Sequence, residues 1–351
     1  MLTNKRVLIT GGTGSIGTVL VRRLLCGEFG LPREVTVFSR DEAKQYAMRV
    51  AIEQGASGDA TYRERRRLSF HIGDVANYPA VVAALRRADV VFHAAALKQV
   101  PTAEFFPSEA IRTNVAGAEN IVRAIREYGF PVEAVVGIST DKACKPVNVM
   151  GMTKALQERI FVQANLHCAA TRFVVARYGN VLASRGSVIP LFHRQVRAGG
   201  PVTITTPEMT RFLMSLDQAV DTILAALVGA HPGEIVVPRI PSARMTDVAA
   251  ALIGERPIEI RFVGIRPGEK THEILVSEEE ALRTVRRGDY YAIAPMTPEL
   301  QPKTDDPPYG EREYSSADHL MPHSGVVDLL RSHGLLLDDR PAFLEDALSK
   351  N

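Results

Sequence analysis

Lys5-Arg6-Val7-Leu8-Ile9-Thr10-Gly11-Gly12-Thr13-Gly14-Ser15-Ile16-Gly17 is the stretch on which the fold turns. Its opening residues predict a short buried strand, and an amphipathic pattern from Thr18 to Cys26 predicts a helix. Strand, glycine turn and helix in that order define a dinucleotide-binding βα unit. Gly12 and Gly14 permit the tight turn and close backbone approach to a pyrophosphate, and Gly17 lets the helix pack on the strand. The helix N-terminus then faces the phosphates. Gly11, Thr13, Gly14, Ser15, Ile16 and Gly17 are therefore the first expected cofactor contacts.

Working outward, a second strand from Glu34 to Phe38 ends at Ser39-Arg40-Asp41, with Lys44 one turn further on. A hydroxyl with two cations suits a 2′-phosphate, so NADP is favoured over NAD, although Asp41 remains placed to reach a ribose. A third strand, Leu68 to Ile72, leads to Asp74 and Val75 at the expected adenine edge. After a helix from Tyr78 to Arg87 and a strand from Val90 to His93, Ala94 and Ala95 leave room for the nicotinamide ribose. Lys98 follows at the switch-point crevice, where both a site role and an ordinary surface role are open. Asn114 is expected to begin a helix that packs back on the sheet.

From Val135 an apolar run ends in Ser139-Thr140-Asp141-Lys142, so a strand delivers four polar side chains at its C-terminal end. Pro146 and Asn148 break the chain. In the helix that follows, Met150 and Lys154 share a face at i and i+4. A strand from Thr171 to Ala176 runs into Arg177 and Tyr178. Alternating strands and helices make residues 1–178 a doubly wound parallel Rossmann sheet of the α/β class. The helix Asp217 to Val228 and strand Glu234 to Pro238 are expected to rejoin it. Residues 179–216 and 239–290 are read as a smaller substrate lobe, with Pro207 to Phe212 as a turn. Residues 291–351 are read as an extended wrap with a last helix, Gly325 to Ser332.

Composition narrows the function. With 351 residues, 46% of them apolar, the chain can bury a large core, and its net charge of +2 implies no polyelectrolyte partner. The basic run Arg63 to Arg67 reads as a solvated segment rather than a nucleic-acid contact. Three scattered cysteines, Cys26, Cys144 and Cys168, fit reduced thiols in a cytosol. No apolar run approaches the ~18 residues that span a bilayer, and the N-terminus enters a strand directly. The expectation is a soluble, cytoplasmic protein without membrane contact. His272 and Glu273 lack partners at metal-ligand spacing, so no metal site is expected.

Taken together the motifs resemble an extended short-chain dehydrogenase/reductase, in particular the inverting UDP-N-acetylglucosamine 4,6-dehydratases of bacterial polysaccharide biosynthesis. The resemblance is carried by Gly-Gly-Thr-Gly-Ser-Ile-Gly at 11–17, Phe-Ser-Arg-Asp-Glu at 38–42 and Ala-Ala-Ala-Leu-Lys-Gln-Val-Pro at 94–101. Ser-Thr-Asp-Lys-Ala at 139–143, Asn-Val-Met-Gly-Met-Thr-Lys at 148–154 and Arg-Tyr-Gly-Asn-Val at 177–181 extend it. Ser-Arg-Gly-Ser-Val-Ile-Pro at 184–190, Met-Thr-Arg-Phe at 209–212 and Arg-Pro-Gly-Glu-Lys at 266–270 complete it. It implies oxidation at C4 of the sugar, C5 deprotonation, water loss from C6 and hydride return, with the cofactor regenerated.

The resemblance further implies Asp141 as acid, Lys142 as C5 base, and Thr140 or Ser139 as a partner of the 4-oxygen. Lys154 would hold the nicotinamide ribose, near Tyr178. Lys98, Asn180, Ser187, Val188, Arg211, Arg266 and Glu269 would bind the UDP-sugar, with Arg211 and Arg266 clamping phosphate oxygens. Arg266 and Glu269 pairing with each other is the alternative. Met150 occupies the position where the wider class carries tyrosine, so the group that deprotonates the C4 hydroxyl is open between Lys154 through a water and Lys142 acting twice. A 4-epimerase, a 5,6-dehydratase and an inactive cofactor-binding sensor are the other readings. A homo-oligomer, dimer or hexamer, is implied by the resemblance alone.

Overall fold

A computed structural model describes residues 1–54, 66–182 and 187–337. Most of the basic run at 63–67, the loop residues Ser184 to Gly186 and the end of the expected wrap lie outside the described residues. The α/β doubly wound sheet expected from the sequence is present. Its strands are β1 (Arg6–Thr10), β2 (Glu34–Ser39), β3 (Leu68–Ile72), β4 (Val90–His93), β5 (Ala134–Thr140), β6 (Arg172–Tyr178), β7 (Ile235–Pro238), β8 (Thr284–Arg287) and β9 (Tyr290–Ile293). They lie in the order β8-β9-β7-β6-β5-β4-β1-β2-β3. All neighbours from β7 to β3 pair in parallel, whereas β9 runs antiparallel to both β7 and β8.

Strand order reverses between β1 and β4, because the chain crosses over from β3 to the far side of β1. Thr10 is in register with both Phe38 and His93, so the glycine turn, Ser39 and Ala94 leave the sheet at one level. That crevice is where such sheets bind ligands.

Side-chain alternation explains the layering. Val7 and Ile9 face α1 (Ser15–Leu25) through Leu20, Val21 and Leu24, joined by Ile223 and Leu224 of Leu216–Gly229. Leu8 and Val135 face the other way, against Ile121 and Ile125 of Gly117–Tyr128 and Phe161 of Val149–Ala164. A separate core holds the smaller lobe. Ile189, Phe192, Val202, Leu213, Val248 and Leu252 close on Val326 and Leu330 of the last helix, His323–Ser332.

Four local expectations are corrected. The helix α1 begins at Ser15 rather than Thr18, which puts Ser15, Ile16 and Gly17 in its first turn, where backbone N–H groups have no intrahelical acceptor. The segment read as a turn, Pro207 to Phe212, turns only at Pro207 and Glu208 and from Thr210 enters the buried strand Thr210–Met214, paired with Ser242–Arg244 and Asn180–Val181. Pro207 signals the break, but the apolar run after it is what pairs. Residues 284–293, divided on sequence between lobe and wrap, form a hairpin on the main sheet, turning at Gly288 with φ +60°. The arginines of β8 concealed it, since an edge strand tolerates charge. Asn114 sits inside a π-helical turn, Ile111–Ala116, not at a helix start.

Candidate active site

A cleft of about 640 Å³ opens over the C-terminal ends of β1, β4, β5 and β6. Such a volume is typical of small-molecule and cofactor sites. At its dinucleotide end, Gly11, Thr13, Gly14, Ser15, Ile16 and Gly17 form the wall. A Cβ on Gly11 would lie 2.7 Å from the backbone of Ala95, and one on Gly17 would lie 2.5 Å from Gly12. The turn is therefore drawn in against the sheet, and only glycine fits at those two points. Ser39, Arg40, Lys44, Asp74 and Val75 line the rim beyond it. Asp41 caps Glu42–Glu53 by accepting from Lys44 N–H, and it also pairs with the Lys44 amine. Arg40 reaches Asp74 at 3.3 Å. Glycine cradle, helix N-terminus and rim cations fit a nicotinamide dinucleotide.

Ala94, Ala95 and Lys98 line the middle of the cleft, and Tyr178 and Asn180 its far wall. Asn114 is elsewhere. It is fully buried behind the loop after β4, where its side chain accepts from Leu97 N–H at 2.8 Å and donates to the Leu97 carbonyl and to Thr153 Oγ1. It holds the loop's shape rather than lining the cleft.

The floor is built by β5 and the helix Val149–Ala164. Asn148 caps that helix by accepting from Gly151 N–H at 2.8 Å. Gly151 is required here, since a Cβ would come within 2.2 Å of the Lys142 carbonyl oxygen. The contact brings the helix down on the Asp141–Lys142 turn. Met150 is buried against Ala103 and Ala110 and offers the cleft no ionisable atom. Lys154 is also buried, donating to the Ile138 carbonyl and to Gln157 Oε1. Burial brings its pKa down to about 7 against the opposing charge of Glu158, so near neutrality it exists in both forms. Beneath it His93 is fully buried, with Nδ1 2.9 Å from Thr10 Oγ1. Burial, and then the Lys154 charge, push that imidazole down to about 3, so it is neutral.

Asp141 is 1% exposed and lies 3.0 Å from the Lys142 amine. It accepts from Thr140 Oγ1 at 2.8 Å, while its Oδ2 is buried without a hydrogen-bond partner among the described residues. Burial raises its pKa, with Lys142 opposing and Glu273 adding to the rise. For Lys142 burial acts downward, but Asp141 and Glu273 outweigh it and hold the amine above its ordinary value. Glu273 touches Lys142 at 3.0 Å. In the sequence Glu273 lacks partners at metal-ligand spacing, and nothing local signals that its segment returns to β5. Ser139 also lines the cleft, with its hydroxyl donating to Glu158 Oε1.

The expected substrate residues divide. Asn180 and Ser187 line the cleft, whereas Val188, Arg211, Arg266 and Glu269 lie outside its lining. Arg211 is buried, donating to the carbonyls of Thr210 and Thr271, with Nε 3.8 Å from Glu273. Glu269 accepts from Thr205 Oγ1 at 3.0 Å, and Arg266 is exposed on the same loop. That loop is pinned to the floor, since Lys270 donates to the Cys144 carbonyl and Asn148 to that of Gly268. Among the described residues no group of three or more His, Cys, Asp or Glu could hold a metal ion. No helix there is long and apolar enough to cross a membrane.

A glycine-turned βα unit opening a doubly wound sheet, with a lysine-bearing helix over strand-end polar groups, defines an extended short-chain dehydrogenase/reductase. The chain belongs to the polysaccharide biosynthesis protein family, whose model it matches over residues 7–295. A protein of Rickettsia conorii described as UDP-glucose 4-epimerase is 47% identical over 298 residues, 84% of each chain. The X-ray structure of Pen from Bacillus thuringiensis superposes with a TM-score of 0.84 at 32% identity, covering 96% of this chain and 100% of that one. DesIV, a dTDP-glucose 4,6-dehydratase of Streptomyces venezuelae with NAD and TYD bound, shares the fold with a TM-score of 0.63 at 23% identity. That match covers 76% of this chain and 86% of DesIV. The Rickettsia relative is thus described as a nucleotide-sugar epimerase, and DesIV, a nucleotide-sugar dehydratase, shares the fold.

Proposed function

We propose that the protein is an NADP-dependent UDP-N-acetylglucosamine 4,6-dehydratase that inverts C5. The observation that carries this reading is the buried Asp141 carboxyl against the Lys142 amine at the cleft floor. Epimerisation at C4 needs no acid and base directed at C5 and C6, whereas elimination of water needs both. When bound, the dinucleotide supplies the hydride acceptor for C4 and the hydride that returns to C6. Asp141, whose pKa burial raises, would protonate the departing C6 hydroxyl. Lys142 would take the C5 proton once C4 is a ketone, after giving up the proton that Asp141 and Glu273 hold on its amine. Lys154, with its pKa near neutrality, exchanges protons on the nicotinamide side, where Met150 cannot. Thr140 orients the Asp141 carboxyl through its hydrogen bond. Ser39, Arg40 and Lys44 are the proposed 2′-phosphate contacts, and Asn180 and Ser187 those of the UDP-sugar. Arg211 is proposed to act on the floor carboxylates rather than as a free phosphate clamp.

A second reading, a UDP-sugar 4-epimerase, is favoured by the description of the Rickettsia relatives. Incubating the enzyme with UDP-N-acetylglucosamine, and in parallel with UDP-glucose, in heavy water and recording NMR spectra separates the two. Deuterium at an inverted C5 with a C6 methyl is the expected product. An intact C6 hydroxyl with exchanged configuration at C4 overturns the dehydratase reading in favour of the epimerase.

A further inference from the structure

The two lysines of the cleft floor are held in opposite ways. Lys142 Nζ lies 3.0 Å from each of two carboxylates, Asp141 and Glu273. The Lys154 amine donates instead to two neutral oxygens, the Ile138 carbonyl and, at 2.6 Å, Gln157 Oε1. Gln157 is fully buried one helical turn beyond Lys154, and its Nε2 donates to the same Ile138 carbonyl at 3.1 Å. Amine, amide and carbonyl thus close a ring of hydrogen bonds. Gly137 opens the sheet for this packing, since a Cβ there would lie 2.4 Å from Phe161 and 3.4 Å from Gln157 Nε2. The titratable groups that act on Lys154 are His93 from β4, buried and neutral, and Glu158 from its own helix. Glu158 is engaged by Ser139 and Arg177.

We propose that Gln157 is a positioning residue that aims the Lys154 amine into the cleft, so that its one free valence meets the C4 hydroxyl of the sugar, directly or through one water. This rests on the reading of Lys154 as the group that takes the C4 proton in place of Met150. It holds whether C4 oxidation leads on to dehydration or to epimerisation. A lysine nitrogen has three tetrahedral positions beyond its carbon. Two are directed at Ile138 and Gln157, and because Lys154 lines the cleft the third faces the ligand. In the charged form that position carries an N–H. In the neutral form the two N–H bonds stay on the two acceptors and the lone pair takes it. Neutral oxygens serve both forms, whereas a carboxylate favours the ammonium. Burial brings the amine to about 7, so the form with a lone pair is populated near neutrality. The C4 hydroxyl proton then passes to that lone pair, and the O–H electrons become the second C4–O bond. The C4 hydrogen leaves with its electron pair for the oxidised nicotinamide of bound NADP. C4 is oxidised and the nicotinamide reduced. Without Gln157 the amine turns about its Cε–Nζ bond, and the lone pair is aimed at the cleft only part of the time.

The test isolates the C4 step. Full-length enzyme loaded with NADP is mixed with UDP-N-acetylglucosamine in a single turnover, and the absorbance of reduced nicotinamide is followed at a series of pH values. The wild-type rate should show an acid limb near neutrality. Gln157→Met takes one acceptor from the ammonium and the aim from the amine. Its limb should move about one pH unit lower, and its plateau rate should fall roughly 10- to 100-fold with the affinity for the sugar nucleotide unchanged. Gln157→Glu sets a carboxylate on the amine, as on Lys142, and should move the limb about one pH unit higher. In the cofactor-free chain, NMR of isotope-labelled lysine should show the same two shifts in the titration of the Lys154 signal, identified by its loss in Lys154→Arg. A limb or titration that stays in place, or moves the other way, in either folded variant overturns the proposal, as does an unchanged plateau rate in Gln157→Met. If the methionine variant fails to fold, the glutamate variant decides alone. Failure of the underlying reading is distinct, since Lys154→Arg would then still reduce the nicotinamide.

Discussion

Asp141 shows how one buried atom sets a reaction's pH range. An ordinary aspartate ionises near pH ~3.9 and would be useless as an acid near neutrality. Burial lifts this one, and Lys142 at 3.0 Å only partly opposes the lift. Its acid form is lost as pH climbs through that raised pKa, so the proposed dehydration should fall on the alkaline limb. Replacing Asp141 with Asn removes the proton while keeping the shape. Water loss from C6 should drop by roughly 10²–10⁴-fold while C5 deuterium uptake continues, because Lys142 remains. NMR of recovered sugar nucleotide, read for the C6 methyl and for C5 deuterium, checks both halves. Loss of the two signals together would place Asp141 in the C5 step instead. Asp141 and Lys142 were legible in the sequence, since a strand-end polar cluster is a local pattern. Glu273 was not, because its contact with Lys142 joins segments from opposite ends of the fold.

Among the elements, the helix Val149–Ala164 and strand β6 carry the site, and each depends on one close contact. Gly151 lets the helix rest on the Lys142 carbonyl, and a Cβ there has only 2.2 Å. Gly151→Ala should cost about 1–3 kcal/mol, as overpacked sites do. It should also lower kcat by displacing Lys142, which thermal melts and steady-state kinetics would show. Wild-type values for both would mean that the turn yields without effect. On β6, Arg177 is 1% exposed and donates to both Glu158 and Glu280. Arg177→Met strips the countercharge from two buried carboxylates and should cost about 3–5 kcal/mol at pH 7. For Glu280, burial acts upward, but Arg177 and the Ser277 N–H bring its pKa down to about 2. A folded value below the unfolded one, near ~4.3, stabilises above the latter and fades as pH falls toward the former. The penalty measured by urea unfolding should therefore shrink between pH 7 and pH 3. A penalty that held constant would argue that packing, not charge, is what Arg177 supplies. Regular elements of this kind were readable because their apolar periods are local. The hairpin β8–β9 was hidden because its arginines and exposed edge imitate a loop.

At the scale of the whole molecule, the sheet's reversal between β1 and β4 and the smaller lobe's separate core leave one cleft between them. The first half of the chain announced that layout, since strand, glycine turn and helix fix a handed crossover. The lobe was less legible because its core is assembled from three segments distant in sequence, Leu182 to Leu213, Ala243 to Ile253 and Val326 to Leu335. A ligand that fills the cleft binds only the folded form and so stabilises the whole chain by RT ln(1 + [L]/Kd), about 2.7 kcal/mol at a hundredfold excess over Kd. The rim then decides between cofactors. Arg40 and Lys44 now pair with Asp74 and Asp41 at exposed positions, where such pairs are worth little. Exchanging those carboxylates for a 2′-phosphate gains charge-assisted hydrogen bonds at small cost. NADP should therefore raise Tm by several degrees more than NAD at equal concentration, and Arg40→Ala should erase most of that difference while leaving NAD protection in place. Differential scanning fluorimetry with the two cofactors measures this directly. Equal or greater protection by NAD in the wild-type enzyme would assign the rim cations to Asp41 and Asp74 and leave the adenosine ribose to Asp41.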